Sequence, residues 1–222
     1  MPSPPANPKT LIYGIDFSGS KTACKKIWVS RGTIHNQTLH INSCSPISDL
    51  MPNDIRKDRD NCLAFLKNLI SNKPEAIFGL DLSLGFPEVL LNGQSWESSI
   101  LNFSKSYSSA EDFRIKCRNA MNNKEVKRAT EIQKKAPFCV YNLRLYRQTY
   151  YGIRYIIEPL LKKKAARIIP MQEPHPDKAS VAETCPACTL KRNSIYVPYK
   201  GKNKRELENR RMILSAMKTW KI

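Results

Sequence analysis

Among the residues able to do chemistry, two near-copies of one motif stand out, Gly14-Ile15-Asp16-Phe17-Ser18 and Gly79-Leu80-Asp81-Leu82-Ser83. Each ends a short apolar run on a carboxylate, and Ser180-Val181-Ala182-Glu183-Thr184 ends another run on a third acid. A sheet aligns the ends of its strands, so acids distant in sequence can meet on one rim. There their hard oxygens can hold a divalent cation, Mg²⁺ or Mn²⁺. The competing use of Asp before Ser and Gly is to cap a turn or the next helix. Repetition of the motif at two run ends favours the metal-binding reading.

Other reactive residues carry weaker signals. Cys185-Pro186-Ala187-Cys188 has the spacing of a redox or metal-binding pair, but no second pair exists to complete a structural zinc site. A redox role requires the first cysteine at a helix start beside a sheet. His35, His40 and His175 are isolated and read as surface or packing residues. Tyr141, Tyr146, Tyr150, Tyr151 and Tyr155 are interleaved with Arg144, Arg147 and Arg154. That arrangement suits base stacking with phosphate clamping. Core packing by the same rings is the alternative, favoured for Tyr150 and Tyr151.

Composition points to the partner. The chain has 222 residues, with 37 Lys and Arg against 19 Asp and Glu, a net charge of +18. Between Arg114 and Arg167 there are 15 basic residues against Glu125, Glu131 and Glu158, so 12 of those charges fall in one stretch. That bias is the footprint expected for phosphates, with nucleic acid, DNA or RNA, as the leading partner. A solvated basic surface or a patch for anionic lipid is the alternative. No segment approaches the roughly 18 apolar residues of a membrane span, so no membrane association by a spanning helix is expected. Seven scattered cysteines and a start without a secretory signal lead us to expect a cytoplasmic protein with reduced thiols.

The elements that must position the acids read as an α/β chain. Residues 1–9 form a flexible, proline-rich leader, and 10–222 form one domain with a largely helical insertion, or lid, at about 88–146. Leu11–Asp16, Lys26–Ser30 and Thr33–Ile41 suggest a three-stranded antiparallel meander, with Arg31-Gly32 as the second turn. Cys62, Leu63, Leu66, Leu69 and Ile70 recur at helical spacing. That helix leads into Ala76–Asp81, apolar on both faces, as in a central strand covered by helices. Helices are expected over 96–105, 110–121 and 147–166. A strand at 180–184 and a final helix over 204–220 complete the order.

With acids ending its first and fourth strands, this order resembles the ribonuclease H-like fold. The set Gly14-Ile15-Asp16-Phe17-Ser18-Gly19, Gly79 to Pro87, Arg128-Ala129-Thr130-Glu131, Glu183-Thr184-Cys185-Pro186-Ala187 and Tyr199-Lys200-Gly201 with Arg210 to Leu214 resembles the DUF429 family of predicted ribonuclease H-fold nucleases. The resemblance implies a metal-dependent nuclease, a hydrolase cutting phosphodiester bonds, with Asp16, Asp81 and Glu183 as metal ligands and catalytic acids. It implies Ser18, Ser83, Arg128, Glu131 and Lys200 as substrate-binding residues. Such nucleases draw a further acid from the last helix, whereas that helix here holds only Glu206 and Glu208, both ahead of Arg210. The chain is then a truncated one, or the metal site lacks a member. Two further readings remain open. One is a catalytically silent nucleic-acid-binding protein of the same fold, and the other is an ATP-dependent phosphotransferase using Asp16 to Lys21 as a phosphate loop.

Overall fold

A computed structural model describes residues 10–220. The leader expected over 1–9 lies outside the described residues. Six strands form one mixed sheet in the order β3-β2-β1-β4-β6-β5. They are β1 (Thr10–Asp16), β2 (Trp28–His35), β3 (Thr38–Pro46), β4 (Ile77–Leu80), β5 (Ala166–Ile169) and β6 (Ala179–Glu183). The first three are antiparallel neighbours, and β1, β4, β6 and β5 run parallel.

Three short or well-capped helices precede the central strand, α1 (Ala23–Lys26), α2 (Ile47–Leu50) and α3 (Arg59–Ser71). Asp58 caps α3 by accepting from the Asn61 N–H at 3.0 Å. Then come α4 (Glu88–Leu91), α5 (Trp96–Leu101), α6 (Phe103–Ser106), α7 (Ala110–Ala120) and α8 (Ala129–Gln133). The helix expected over 147–166 is α9 (Tyr146–Gly152), a π-helical turn (Ile153–Ile157) and α10 (Glu158–Lys162). Finally, α11 (Pro186–Arg192) follows β6, and α12 (Lys204–Met217) closes the described chain.

Alternation sorts the sheet into two faces. Tyr13, Ile15, Phe78, Leu80, Val181 and Ile168 share the buried cluster with Leu63 and Leu66 of α3, Ile153 and Ile157 of the π turn, and Leu160 of α10. The residues between them point the other way and stay outside that cluster. On that face Ile77 is 41% exposed and Trp28 44%. The expectation of a central strand covered on both sides therefore holds on one side only. The region 88–146 is helical as expected, and Ile100, Phe103, Phe113 and Tyr141 lie in the same cluster as the sheet. It is built into the core rather than hung over it as a lid.

Two local expectations are corrected. The turn between β2 and β3 is Asn36-Gln37, both at positive φ (48° and 59°), the backbone a two-residue hairpin demands. Arg31-Gly32 lies inside β2 at a register shift. A Cβ on Gly32 would come within 2.7 Å of the His40 carbonyl oxygen, so close strand approach accounts for this glycine. The second correction is β5, a strand not expected, which follows the Lys162-Lys163-Lys164 run and extends the parallel half of the sheet.

Candidate functional site

The parallel ladder sets the two motif aspartates side by side. Gly14 pairs with Gly79 and Ile15 with Leu80, and the Asp81 N–H continues the ladder to the Ile15 carbonyl at 2.9 Å. One step further, Asp16 ends β1 and Asp81 directly follows β4, both on the same, open face of the sheet. Burial pushes the Asp81 carboxyl up to about 6; the neighbouring Asp16 adds to the rise, Lys200 opposes it and Glu183 adds the last part. Asp16 is also raised by burial, with Lys200 again opposing. The two carboxylates thus share one electrostatic environment with the Lys200 ammonium.

Both motif loops rest on α9. A Cβ at Gly19 would lie 2.3 Å from the Arg147 carbonyl oxygen, so only glycine lets this loop approach the helix backbone. The Gln148 side-chain amide donates to the Asp81 carbonyl. Leu82 packs onto Gly152, where a Cβ would meet its methyl carbon at 2.3 Å. The helix inside the basic stretch is what holds the two acid-bearing loops in place.

Glu183 sits differently. Its register partner is Leu80, so strand alternation turns its side chain away from the Asp16–Asp81 face, and Thr184 flanks Asp81 instead. The Thr184 methyl lies 2.7 Å from where a Gly79 Cβ would be, which fixes Thr184 on the open face. The Glu183 carboxylate is taken by Arg128, whose Nη1 donates to Oε2 at 2.7 Å and Nη2 to Oε1 at 2.6 Å. The Leu84 N–H adds a third bond at 3.0 Å. Among the described residues, no three of His, Cys, Asp and Glu stand together as a metal-binding group. The expected triad of Asp16, Asp81 and Glu183 is therefore not assembled as a single site.

Arg128 is the centre of a second cluster. Its Nε donates to Glu131 at 3.0 Å, and Nη2 also reaches Ser83 Oγ at 3.4 Å. Glu131, buried, accepts from the Arg128 backbone N–H at 2.8 Å and closes the first turn of α8. Burial works against the guanidinium charge, and Glu183 and Glu131 more than restore it. Four of the expected site residues, Ser83, Arg128, Glu131 and Glu183, are thus brought together, but to bind one another. Ser18 donates to Ser20 Oγ at 3.3 Å within its own loop.

The donor chemistry of Asp16 and Asp81 suits Mg²⁺ or Mn²⁺. Such ions are held through one or two carboxylates, with the other positions left to water and substrate phosphates. Glu183 does not fit that role, because both its oxygens already accept charged hydrogen bonds.

Other expected features resolve into packing. Tyr141, Tyr146 and Tyr150 are buried, and Tyr150 donates its hydroxyl to the Ser108 carbonyl at 3.0 Å. Tyr151 lies under the Arg59 guanidinium, 3.7 Å from its ring centre. Several cations of the basic stretch are committed within the chain, as in Arg147 to Glu111 and Lys162 to Glu158. Lys134, Lys135, Arg144, Lys163 and Lys164 remain exposed, with no ion pair among the described residues. Cys185 and Cys188 are joined as a disulfide at the start of α11, contrary to the expectation of reduced thiols throughout.

No protein family model, curated protein or solved structure matches this chain. No helix among the described residues is long and apolar enough to cross a membrane.

Proposed function

We propose that the chain is a divalent-metal-dependent nuclease of the DUF429 family, with a ribonuclease H-like fold and a nucleic-acid substrate, DNA or RNA. The observation that carries this reading is the adjacency of Asp16 and Asp81 at the ends of two parallel strands. An antiparallel meander followed by parallel strands supports the fold assignment, and the +18 charge supports a polyanionic substrate.

In this reading Asp16 and Asp81 would hold Mg²⁺ or Mn²⁺. A cation bound there would supply Lewis-acid chemistry toward a phosphodiester. Lys200, electrostatically coupled to both carboxylates, contacts a neighbouring phosphate. Arg128 acts one step removed, anchoring Glu183 and the loop that follows Asp81.

Replacing Asp16 with Asn tests the reading. Cleavage of labelled DNA or RNA with Mn²⁺ should be lost while binding in EDTA persists, and unchanged cleavage would overturn it. The second reading, a catalytically silent nucleic-acid-binding protein, is favoured by the engagement of Glu183 with Arg128. Binding by the wild-type chain without cleavage under any divalent ion would select it.

A further inference from the structure

We infer that Trp28 is a stacking platform that seats an unpaired base beside Asp16, which makes the preferred substrate single-stranded. The inference rests on the nuclease reading above and extends it to substrate class.

Trp28 is the direct antiparallel partner of Asp16 across β1 and β2, so both side chains leave the sheet on its open face. The row at that rim runs Trp28, Asp16, Asp81, Thr184. On its other side Trp28 pairs with Pro46 of β3, and the indole stays 44% exposed. Of the large apolar side chains left exposed among the described residues, only Trp28 and Tyr196 are aromatic, and Trp28 is the one in register with a carboxylate. Its neighbour in the next row, Gly14, has no side chain, and a Cβ placed there would touch only Ser30 at 3.8 Å. The sheet position diagonal to the ring is therefore free of any side chain.

Charge leads up to the same ring. Lys25 and Lys26, in the turn of helix just before β2, are exposed and have no ion pair among the described residues. A strand whose phosphates follow these lysines brings a base over Trp28 and the next phosphodiester toward Asp16. Every base has a π-face that can stack on an indole, so this contact carries no sequence preference. In a duplex those faces are already stacked inside the helix, and a ring on a sheet surface cannot reach them. Tyr146 and Tyr150 of α9 are buried and cannot serve.

The test is fluorescence anisotropy in EDTA with a short labelled single strand, the same strand carrying one abasic residue, and the matching duplex. The full chain is compared with Trp28→Ala and Trp28→Phe. Base–aromatic stacking contributes on the order of 1–3 kcal/mol. Trp28→Ala should therefore weaken single-strand binding about fivefold to a hundredfold. It should leave duplex binding unchanged and erase the penalty of the best-placed abasic residue, and Trp28→Phe should recover most of the affinity. Equal binding by wild type and Trp28→Ala, or equal loss on duplex and single strand, overturns the inference while Asp16-dependent cleavage still stands. If the wild-type chain binds no nucleic acid, the nuclease reading falls and this inference falls with it. A change in oligomeric state on Trp28→Ala, with binding unchanged, would make the ring a contact between copies and likewise overturn it.

Discussion

Arg128 grips Glu183 with both terminal nitrogens, at 2.7 and 2.6 Å, while its Nε holds Glu131. One guanidinium thereby ties the end of β6 to the start of α8 and to the loop after Asp81.

Removing that guanidinium leaves Glu131, only 6% exposed, without its cation. Breaking one side of a buried ion pair costs about 3–5 kcal/mol. Arg128→Ala should approach the lower end of that range in urea denaturation, because Glu183 is partly exposed and can recover solvent. Arg128→Lys should recover little, since an ammonium cannot reproduce the two-pronged contact. Glu183→Gln should retain Mn²⁺ binding by calorimetry, as expected for a residue bound to Arg128 rather than to the ion.

The raised Asp81 carboxyl makes a pH prediction with a definite sign. Its folded value of about 6 lies above the ordinary value of 3.8, so the native state binds the extra proton between them. Stability from this residue is therefore greatest below about pH 4 and is lost as pH rises through about 6. Asp81→Asn removes the ionisation, so its thermal midpoint should exceed that of wild type at pH 7.5 and converge with it at pH 4. A midpoint difference that does not change with pH would contradict the shared environment of Asp16 and Asp81.

Lys200 holds both carboxyl values down. Lys200→Ala should shift the acidic limb of the Mn²⁺-dependent rate profile toward higher pH, because both aspartates then need a higher pH to ionise. A uniform drop in rate with an unmoved profile would assign Lys200 to phosphate contact alone.

At Gly19, an added methyl meets backbone atoms of Arg147 and Gln148, which cannot swing aside. Gly19→Ala should lower stability by about 1–3 kcal/mol, the usual cost of overpacking. Cleavage should fall further than stability explains, because the loop that follows Asp16 is lifted off α9. Cleavage matching wild type at a temperature where the variant is folded would separate the loop's packing from the site.

Cysteine chemistry offers a count. Thiol titration of the denatured, unreduced chain should find five free cysteines, namely Cys24, Cys44, Cys62, Cys117 and Cys139, and seven after reduction. Seven before reduction would mean that the Cys185–Cys188 link is absent from the purified protein.

Helical spacing of its apolar residues made α3 legible, and short apolar runs closed on an acid made β1 and β4 legible. The adjacency of Asp16 and Asp81 was legible for the same reason, each being the last residue of such a run. The Asn36-Gln37 turn was hidden by Arg31-Gly32, a more conventional turn pair whose glycine answers to the His40 carbonyl instead. Only four residues long and set after three lysines, β5 offered too short an apolar pattern. The Arg128 to Glu183 link spans 55 residues and leaves no local trace, although both belong to motifs that the family resemblance grouped. The direction of Glu183 could have been read from phase. Ala179, Val181 and Glu183 share one alternation with the buried side of β6, whereas Asp16 directly follows the inward-facing Ile15.

The two-sided sheet divides tolerance to mutation residue by residue. In β1, Tyr13 and Ile15 answer to the core, and Ile12, Gly14 and Asp16 answer to whatever meets the open face. In β4 and the residue that follows it the parity is reversed, with Phe78 and Leu80 inside and Ile77, Gly79 and Asp81 outside. Folding constrains the first set, so the open face can vary without disturbing the scaffold. A one-residue insertion in either strand would exchange the two sets at a stroke, burying a carboxylate and exposing the core.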